Sequence, residues 1–279
     1  MAATTAPLPI DPLLPELVQQ LSAGATLLLQ APPGAGKTTR VPLALQGALA
    51  ACEGPDHGRI LMLEPRRLAA KAAAERLAAS LGEPVGQRVG YRVRLESRVS
   101  AATRIEVLTD GLFLRQLQAD PSLAGVSCVI FDEFHERRSD ADLALALLRE
   151  ARPLLAPRLR LLLMSATLNL QPLQQQLPEA ALLTSEGRSH PVAIQHQPPR
   201  ERESLAAQVV RALESHWLDQ RAASETVLVF LPGQRQIQHC HEQIAATGWG
   251  RELELCPLHG SLPLAAQSRA IEPSTNPGG

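Results

Sequence analysis

Short runs of apolar residues, each followed by small or polar residues, recur along the first two-thirds of the chain. Five such runs lie at Ala25–Gln30, Arg59–Leu63, Arg104–Leu108, Val126–Phe131 and Leu159–Met164. Continuous apolar runs of this kind, bounded by turn residues, predict buried strands of a parallel sheet. Between them, Leu68–Leu81 and Ala141–Leu155 carry Ala and Leu at helical spacing. Because strands and helices alternate, we predict an α/β fold: a doubly wound parallel sheet with helices on both faces.

The pattern changes after Glu186. Residues 187–203 are rich in proline and show little apolar periodicity, which predicts a linker. A second alternation then predicts a helix at Ser204–Trp217, a strand at Thr226–Leu231, a helix at Gln234–Ala246 and a short strand at Leu253–Leu255. We therefore expect one complete domain at 1–186 and the start of a second at 204–279. About three elements cannot close a core, so the second domain is expected to be incomplete.

Composition and charge narrow the class of protein. The 27 Lys+Arg and 28 Asp+Glu give a net charge of −1, so any contact with nucleic acid must come from a local patch. Aromatic residues are only 3% of the chain, which disfavours a base-stacking platform. The four cysteines are widely spaced, as in reduced cytosolic proteins, and no apolar string is long enough to span a bilayer. We expect a cytoplasmic protein with no membrane partner.

The first polar cluster has the pattern of a phosphate-binding loop. Ala31-x-x-x-x-Gly36-Lys37-Thr38 matches the P-loop template, except that alanine replaces its first glycine. Backbone N–H groups of such a loop turn toward a phosphate, and the following helix adds its positive N-terminal end. Lys37 would reach the β- and γ-phosphates and Thr38 would coordinate Mg²⁺. The alternative, a glycine-rich turn that merely opens a helix, does not account for a preceding strand and a following Lys-Thr.

A pair of carboxylates follows a later strand. Asp132-Glu133 comes directly after Val126–Phe131, where a Walker B motif belongs. Asp132 can hold Mg²⁺ through water, while Glu133 can orient and deprotonate an attacking water. An acidic pair that only caps the next helix is the alternative. Downstream of a P-loop, we favour a nucleotide hydrolase.

Further motifs give the sequence a family resemblance. Glu64-Pro65-Arg66-Arg67, Gly90-Tyr91-Arg92-Val93-Arg94, Thr109-Asp110-Gly111, Asp132-Glu133-Phe134-His135 and Ser165-Ala166-Thr167 occur in the order that DEAH/RHA helicases of superfamily 2 show. The segments 228–233 and 258–261 resemble the opening motifs of their second domain. D-E-F-H in place of D-E-A-H is typical of the bacterial HrpB type. The chain thus resembles the amino-terminal part of such a helicase, which implies one whole RecA-like P-loop NTPase domain and part of a second.

The resemblance implies a role for each matching residue. The nucleotide, ATP or another NTP with Mg²⁺, would contact Pro33, Gly34, Ala35, Gly36, Lys37, Thr38, Thr39, Arg76 and Ile271. Arg76 matches an arginine that stacks on the base. Ile271 stands where the family has an aromatic partner on the other side, which leaves base preference open. Catalysis would depend on Glu133, Lys37 and Asp132, with Thr38 and Asp132 at the metal.

Nucleic acid would lie against a different set of residues. The resemblance assigns contacts with the RNA backbone to Arg66, Arg67, Arg94 and Thr109. Residues 64–104 contain nine Lys/Arg against four Glu, a local excess that supports this. For three of these cations, Arg88, Arg98 and Arg104, we favour instead a solvated helix face with i,i+4 ion pairs. Single-stranded RNA is the expected partner, DNA stays open, and the sequence names no protein partner.

A last group would couple hydrolysis to movement of the strand. The resemblance assigns this role to Ser165, Thr167 and His135, and a Ser/Thr helix cap is the alternative for the first two. The family also uses arginine fingers in a Q-R-x-G-R-x-G-R segment, which this sequence does not contain. We therefore weigh two functions: an ATP-dependent RNA helicase, and a nucleotide- and RNA-binding module with little hydrolysis. A P-loop kinase for small molecules is disfavoured because no arginine-rich lid is evident.

Overall fold

The computed structural model describes residues 7–21, 24–53, 58–166, 171–186, 192–218 and 226–271. The chain forms two compact units, Met1–His190 and Pro191–Gly279. This division lies near the predicted linker. The interpretation of the second unit as the start of a RecA-like domain stays a prediction.

A sheet of eight strands forms the centre of the first unit within its described part. The strands are β1 Thr26–Gln30, β2 Arg59–Glu64, β3 Val89–Val93, β4 Glu96–Arg98, β5 Ile105–Thr109, β6 Val126–Phe131, β7 Arg160–Ser165 and β8 Ala181–Thr184. Their order is β4-β3-β5-β2-β6-β7-β1-β8. All neighbours are parallel except β3 and β4, which form an antiparallel hairpin. The five predicted strands are all present, each within one residue of its expected ends.

Helices cover both faces of this sheet. The first unit contains α1 Leu14–Gln20, α2 Lys37–Glu53, α3 Arg67–Ser80, α4 Asp110–Ala119, α5 Ser139–Leu155 and α6 Gln171–Gln176. Alternate strand residues point to opposite faces: Leu27 and Leu29 join a core with α1, α2 and α3, whereas Leu28 joins a second core with α4, α5 and α6. The predicted doubly wound α/β fold is confirmed.

The second unit is helical in its described part. It contains α7 Leu205–Leu213, a π-helical turn Glu214–Leu218, α8 Gln234–Ala246, a 3₁₀ turn Trp249–Glu252 and α9 Leu264–Ile271. A small core joins α7 to α8 through Ala206, Leu213, Cys240 and Ile244. The two helices predicted here are present, although the end of the first is π-helical.

The two strands predicted in the second unit are wrong for the described residues. Residues 226–231 and 253–255 are irregular and pair with no strand in the described part of the unit. A strand needs a neighbour to satisfy its backbone hydrogen bonds. Without one, the apolar run stays accessible, and Phe230 is 87% exposed.

The topology also fixes where the polar clusters lie. In a parallel sheet all the carboxyl ends meet at one edge, where ligands bind in open α/β folds. Here β1, β7 and β6 are consecutive in the sheet, followed by β2, β5 and β3. The P-loop and Asp132-Glu133 therefore share one half of the edge. The segments after β2, β5 and β3 share the other half.

Candidate functional site

The loop after β1 has the backbone geometry of an anion cradle. Gly34 and Gly36 have φ of +77° and +98°, a left-handed conformation that glycine adopts without strain. α2 then begins at Lys37, which is buried. Its ammonium donates to the carbonyl oxygens of Ala31 at 2.6 Å and Pro32 at 3.2 Å, so it lies across the loop. The loop thus presents a helix N-terminus and a held cation to the same space.

Thr38 connects this loop to the carboxylate pair. Its hydroxyl donates to Asp132 Oδ2 at 2.6 Å. Asp132 follows β6 and is only 5% exposed, and its other oxygen accepts the Glu133 N–H at 2.8 Å. Burial raises the pKa of Asp132, while these hydrogen bonds and the charge of Lys37 oppose the shift. Two oxygen atoms suited to a divalent cation therefore converge beside the P-loop.

Glu133 lies next to this pair in a left-handed conformation, with φ 49° and ψ 37°. Its side chain is half-buried, and burial together with the Asp132 charge raises its pKa. A carboxylate with a raised pKa is a better proton acceptor than one in water. The positions of Lys37, Asp132 and Glu133 are therefore mutually consistent with the predicted catalytic group.

A cavity of about 400 Å³ opens over the loop. Its walls include seven of the predicted nucleotide residues: Pro33, Gly34, Gly36, Lys37, Thr38, Thr39 and Arg76. Leu8, Arg40, Ser80 and Glu133 complete the lining. Ala35 is buried beneath it, and its carbonyl accepts the Ile10 N–H at 3.1 Å. Ile271 lies in the second unit at the end of α9 and is 57% exposed. The first unit thus brings Arg76 to the loop, and Ile271 stays a prediction.

Sequence reasoning gave no role to Glu64 or Leu8, although both lie at the site. Glu64 ends β2 and is buried, and its carboxyl hydrogen-bonds Asp132. Burial and the charge of Asp132 raise the pKa of Glu64 to about 9. Glu64 therefore keeps its proton at neutral pH and donates it to Asp132. The available signal was an acidic residue directly after the apolar run Ile60–Leu63.

The predicted coupling residues lie around the same carboxylates. His135 Nδ1 lies 3.3 Å from Glu133 Oε2 and accepts the Ala166 N–H at 3.3 Å. Ser165 ends β7 and is buried, and its carbonyl accepts the Ala31 N–H at 3.0 Å. The structure thus brings His135 and Ser165 to the P-loop and the carboxylates. Thr167 lies outside the described residues.

The predicted nucleic-acid residues lie together on the other half of the edge. Arg66 and Arg67 follow β2 at the start of α3, and Thr109 precedes α4 at the end of β5. Arg94 lies in the turn between β3 and β4. The three arginines are exposed. Their positions form a row along three adjacent strand ends.

Ion pairs reduce the charge of the surrounding basic segment. Arg66, Lys71, Arg88 and Arg92 pair with Glu136, Glu96, Glu83 and Glu106, respectively, at 2.6–3.3 Å. The helix-face interpretation of Arg88, Arg98 and Arg104 is wrong, because all three lie outside helices: Arg98 ends β4, and the other two precede strands. The positive charge that residues 64–104 can offer to nucleic acid is therefore smaller than the composition indicated.

The fold and this clustered P-loop and carboxylate geometry are those of a RecA-like P-loop domain. Residues 15–175 match the family model described as DEAD/DEAH box helicase. The chain belongs to this family. The matched range lies within the first unit and contains every residue that lines the cavity except Leu8.

Named relatives agree with this assignment. The chain is 46% identical over 268 residues to the ATP-dependent RNA helicase HrpB of Escherichia coli (strain K12), covering 96% of this chain and 32% of HrpB. The Schizosaccharomyces pombe pre-mRNA-splicing factor prp22, an ATP-dependent RNA helicase, is 33% identical over 98% of this chain and 23% of its own length. A crystal structure of E. coli DEAH/RHA helicase HrpB matches with a TM-score of 0.83 and 46% identity, over 97% of this chain and 33% of that one. The chain spans about a third of the length of HrpB.

Among the described residues, no helix combines the length and apolar character that crossing a membrane requires. The four cysteines are free thiols, with Cys128 and Cys240 buried and Cys52 and Cys256 exposed.

The buried Glu64 predicts a specific pH dependence of stability. Its pKa is raised from 4.5 to about 9 on folding, so unfolding releases a proton between these values and stability falls as pH rises through that window. One proton corresponds to about 1.4 kcal/mol per pH unit. Glu64→Gln keeps a donor toward Asp132 but cannot ionise. We expect its stability advantage over the unmodified protein to grow from pH 5 to pH 8 in urea unfolding curves, at roughly that rate.

The matched control is Glu75→Gln, which removes an exposed carboxylate from α3. Its stability should follow the unmodified protein across the same pH range. Parallel stability curves for Glu64→Gln and the unmodified protein would show that Glu64 is ionised in the folded state.

Proposed function

We propose that this chain is the nucleotide-binding front part of an ATP-dependent RNA helicase. The observation that carries the proposal is the 2.6 Å hydrogen bond between Thr38 and Asp132, which joins the P-loop to the carboxylate pair across 94 residues of sequence. A P-loop that merely opens a helix needs no such partner. The family membership of the chain and the names of its relatives support the same proposal.

The donor set at this point fits Mg²⁺. This ion binds oxygen ligands and usually takes one or two protein groups together with phosphates and waters. The Thr38 hydroxyl and the Asp132 carboxylate provide those two oxygens. When bound, Mg²⁺ would neutralise charge on the β- and γ-phosphates. The proton that Glu64 holds keeps a second negative charge away from Asp132.

The remaining residues each have a task that their geometry permits. Lys37 exchanges two carbonyl oxygens for phosphate oxygens, a replacement of neutral acceptors by charged ones. Glu133 takes a proton from the attacking water, which its raised pKa favours. Arg76 covers one side of the base with its planar guanidinium. His135 lies beside this carboxylate, with its Nδ1 3.3 Å from Glu133 Oε2.

Nucleic acid is proposed to cross the strand ends of β2, β5 and β3. Arg66, Arg67, Arg94 and Thr109 would contact the backbone of single-stranded RNA there, and these contacts carry no sequence information. Because Arg66 already pairs with Glu136, RNA must replace one anion by another. Binding to this chain is therefore expected to be weak and to fall steeply with added salt.

The second candidate is a binding module with little hydrolysis. The absence of a Q-R-x-G-R-x-G-R segment from the sequence favours it for the chain alone. An arginine finger contributes on the order of 10³–10⁵ in rate. The two candidates share the nucleotide site and differ in turnover, so binding and hydrolysis are tested separately.

Nucleotide binding is tested at Lys37. We expect Lys37→Ala to weaken the affinity for a fluorescent ATP analogue by about 100-fold or more, because a charge-assisted contact contributes about 1.5–3 kcal/mol and the variant loses two phosphate contacts. The matched control is Lys71→Ala, which removes the other lysine of the chain from an ion pair with Glu96. Equal affinities of Lys37→Ala and the unmodified protein would contradict the assignment of the loop.

Hydrolysis is tested at Glu133. Glu133→Gln keeps the shape of the side chain and removes the base, so nucleotide affinity should stay within about twofold while turnover falls by 10²–10⁴, the usual contribution of a general base. Single-turnover phosphate release with Mg²⁺ and single-stranded RNA measures the rate. Undiminished turnover in the variant would assign the base to another residue. No turnover in the unmodified protein, with binding intact, would favour the binding module.

A further inference from the structure

The segment that follows β6 is held in an unusual conformation. Between Asp132 and Arg138 the chain makes one 3₁₀ turn, Phe134–Glu136, flanked by two non-glycine residues in the left-handed region. These are Glu133 and Arg137, with φ of 49° and 48°. Such residues cost free energy and persist only where the surroundings hold them. We call residues 132–138 the carboxylate loop.

Beyond the contacts of Asp132, three side-chain contacts tie the carboxylate loop to the neighbouring strand ends. His135 accepts the Ala166 N–H, after β7. Glu136 pairs with Arg66, after β2, but Arg66 is 70% exposed and such pairs contribute little. Arg138 Nε lies 3.0 Å from Asp110 Oδ2, after β5. The last pair is better buried than the Arg66 pair, because the side chain of Asp110 is only 5% exposed.

Asp110 is adjacent in the chain to a proposed RNA contact, so a movement of Asp110 would also move that contact. It is the first residue of α4, and Thr109, the proposed contact with the RNA backbone, directly precedes it as the helix N-cap. A buried carboxylate that loses its cation keeps the cost of desolvation, so Asp110 must follow Arg138 or expose itself. The start of α4 is thus fixed to the end of the carboxylate loop.

We propose that Arg138 is a positioning residue that couples the nucleotide site to the nucleic-acid site through its ion pair with Asp110. Glu133 lies at one end of the carboxylate loop and Arg138 at the other, so a nucleotide-dependent shift at Glu133 moves Asp110 and with it Thr109. The inference rests on the proposed function, because it assumes that both ligands bind. It adds a residue outside the motifs from which that function was argued.

Coupling of this kind is a ratio of affinities that needs no hydrolysis. The affinity of a short fluorescein-labelled oligouridylate is measured by anisotropy, with and without a non-hydrolysable ATP analogue and Mg²⁺. We expect the ratio of the two affinities to depart from one by about fivefold or more in the unmodified protein and to approach one in Arg138→Gln. The affinity of that variant for the nucleotide alone should change by less than about twofold.

Four further variants separate positioning from loss of charge or of fold. Arg115→Gln removes an exposed cation from α4 and should leave the ratio unchanged. Arg138→Lys keeps a cation within reach of Asp110 and should restore most of the coupling. Asp110→Asn should bring the ratio toward one, as Arg138→Gln does. The ratio in the double variant should equal that in either single variant. If Arg138→Gln is too unstable to titrate, Asp110→Asn decides the question.

The possible outcomes distinguish failure of the inference from failure of the proposed function. If the unmodified protein binds both ligands and Arg138→Gln keeps its full ratio, the inference is overturned and the proposed function stands. A ratio of one in the unmodified protein also overturns the inference, because there is no coupling for Arg138 to carry. If the unmodified protein binds neither ligand, the proposed function fails, and the inference fails with it.

Discussion

A buried carboxylate at the end of a central strand is the constraint on which the rest of this site depends. Asp132 is 5% exposed, and a charge withdrawn from water must find hydrogen bonds or cations to offset the loss. Its partners come from three strand ends: Thr38 after β1, Glu64 at the end of β2 and the Glu133 amide after β6 itself. The residues that satisfy Asp132 are therefore those that bring the P-loop and the carboxylates together.

The order of the strands places the proposed nucleotide site and the proposed RNA contacts on different halves of one edge of the sheet. β1, β7 and β6 carry the phosphate loop, Ser165 and the carboxylates, and β2, β5 and β3 carry the proposed RNA contacts. β6 and β2 are neighbours, so the boundary between the two halves falls beside the carboxylate loop. A single segment of seven residues thus contacts both halves. In this arrangement, short-range side-chain contacts of residues 132–138 connect the two proposed sites.

The sequence predicted the strands that are buried on both faces, because their apolar runs are continuous and bounded by turn residues. It did not predict the hairpin of β3 and β4, whose second strand is the polar Glu96–Arg98. It predicted strands at 226–231 and 253–255, where the described residues provide no neighbouring strand. Apolar periodicity reports what a segment could bury. It does not report whether a partner is present.

Among site residues, the motif positions were predictable because their spacing follows from the chemistry of phosphate binding. Glu64 and Arg138 were not, since their importance comes from contacts across the fold: a carboxyl against Asp132 and a guanidinium against Asp110. The sequence gives the number of cations in the basic segment, but it does not show how many of them form ion pairs. Four of its nine cations pair with glutamates, and three of those glutamates are 14 or more residues away along the chain.

Thr38 and Asp132 are proposed to form one metal-dependent nucleotide site, and the Mg²⁺ dependence of nucleotide affinity tests this most directly. The affinity for a non-hydrolysable ATP analogue is measured in Mg²⁺ and in chelator, for the unmodified protein and for Thr38→Val, which replaces the hydroxyl by a methyl group of similar size. We predict that Mg²⁺ strengthens binding to the unmodified protein by at least about tenfold, or 1.4 kcal/mol. The variant should lose most of this enhancement and keep its metal-free affinity. The same enhancement in both proteins, or none in the unmodified one, would contradict the account.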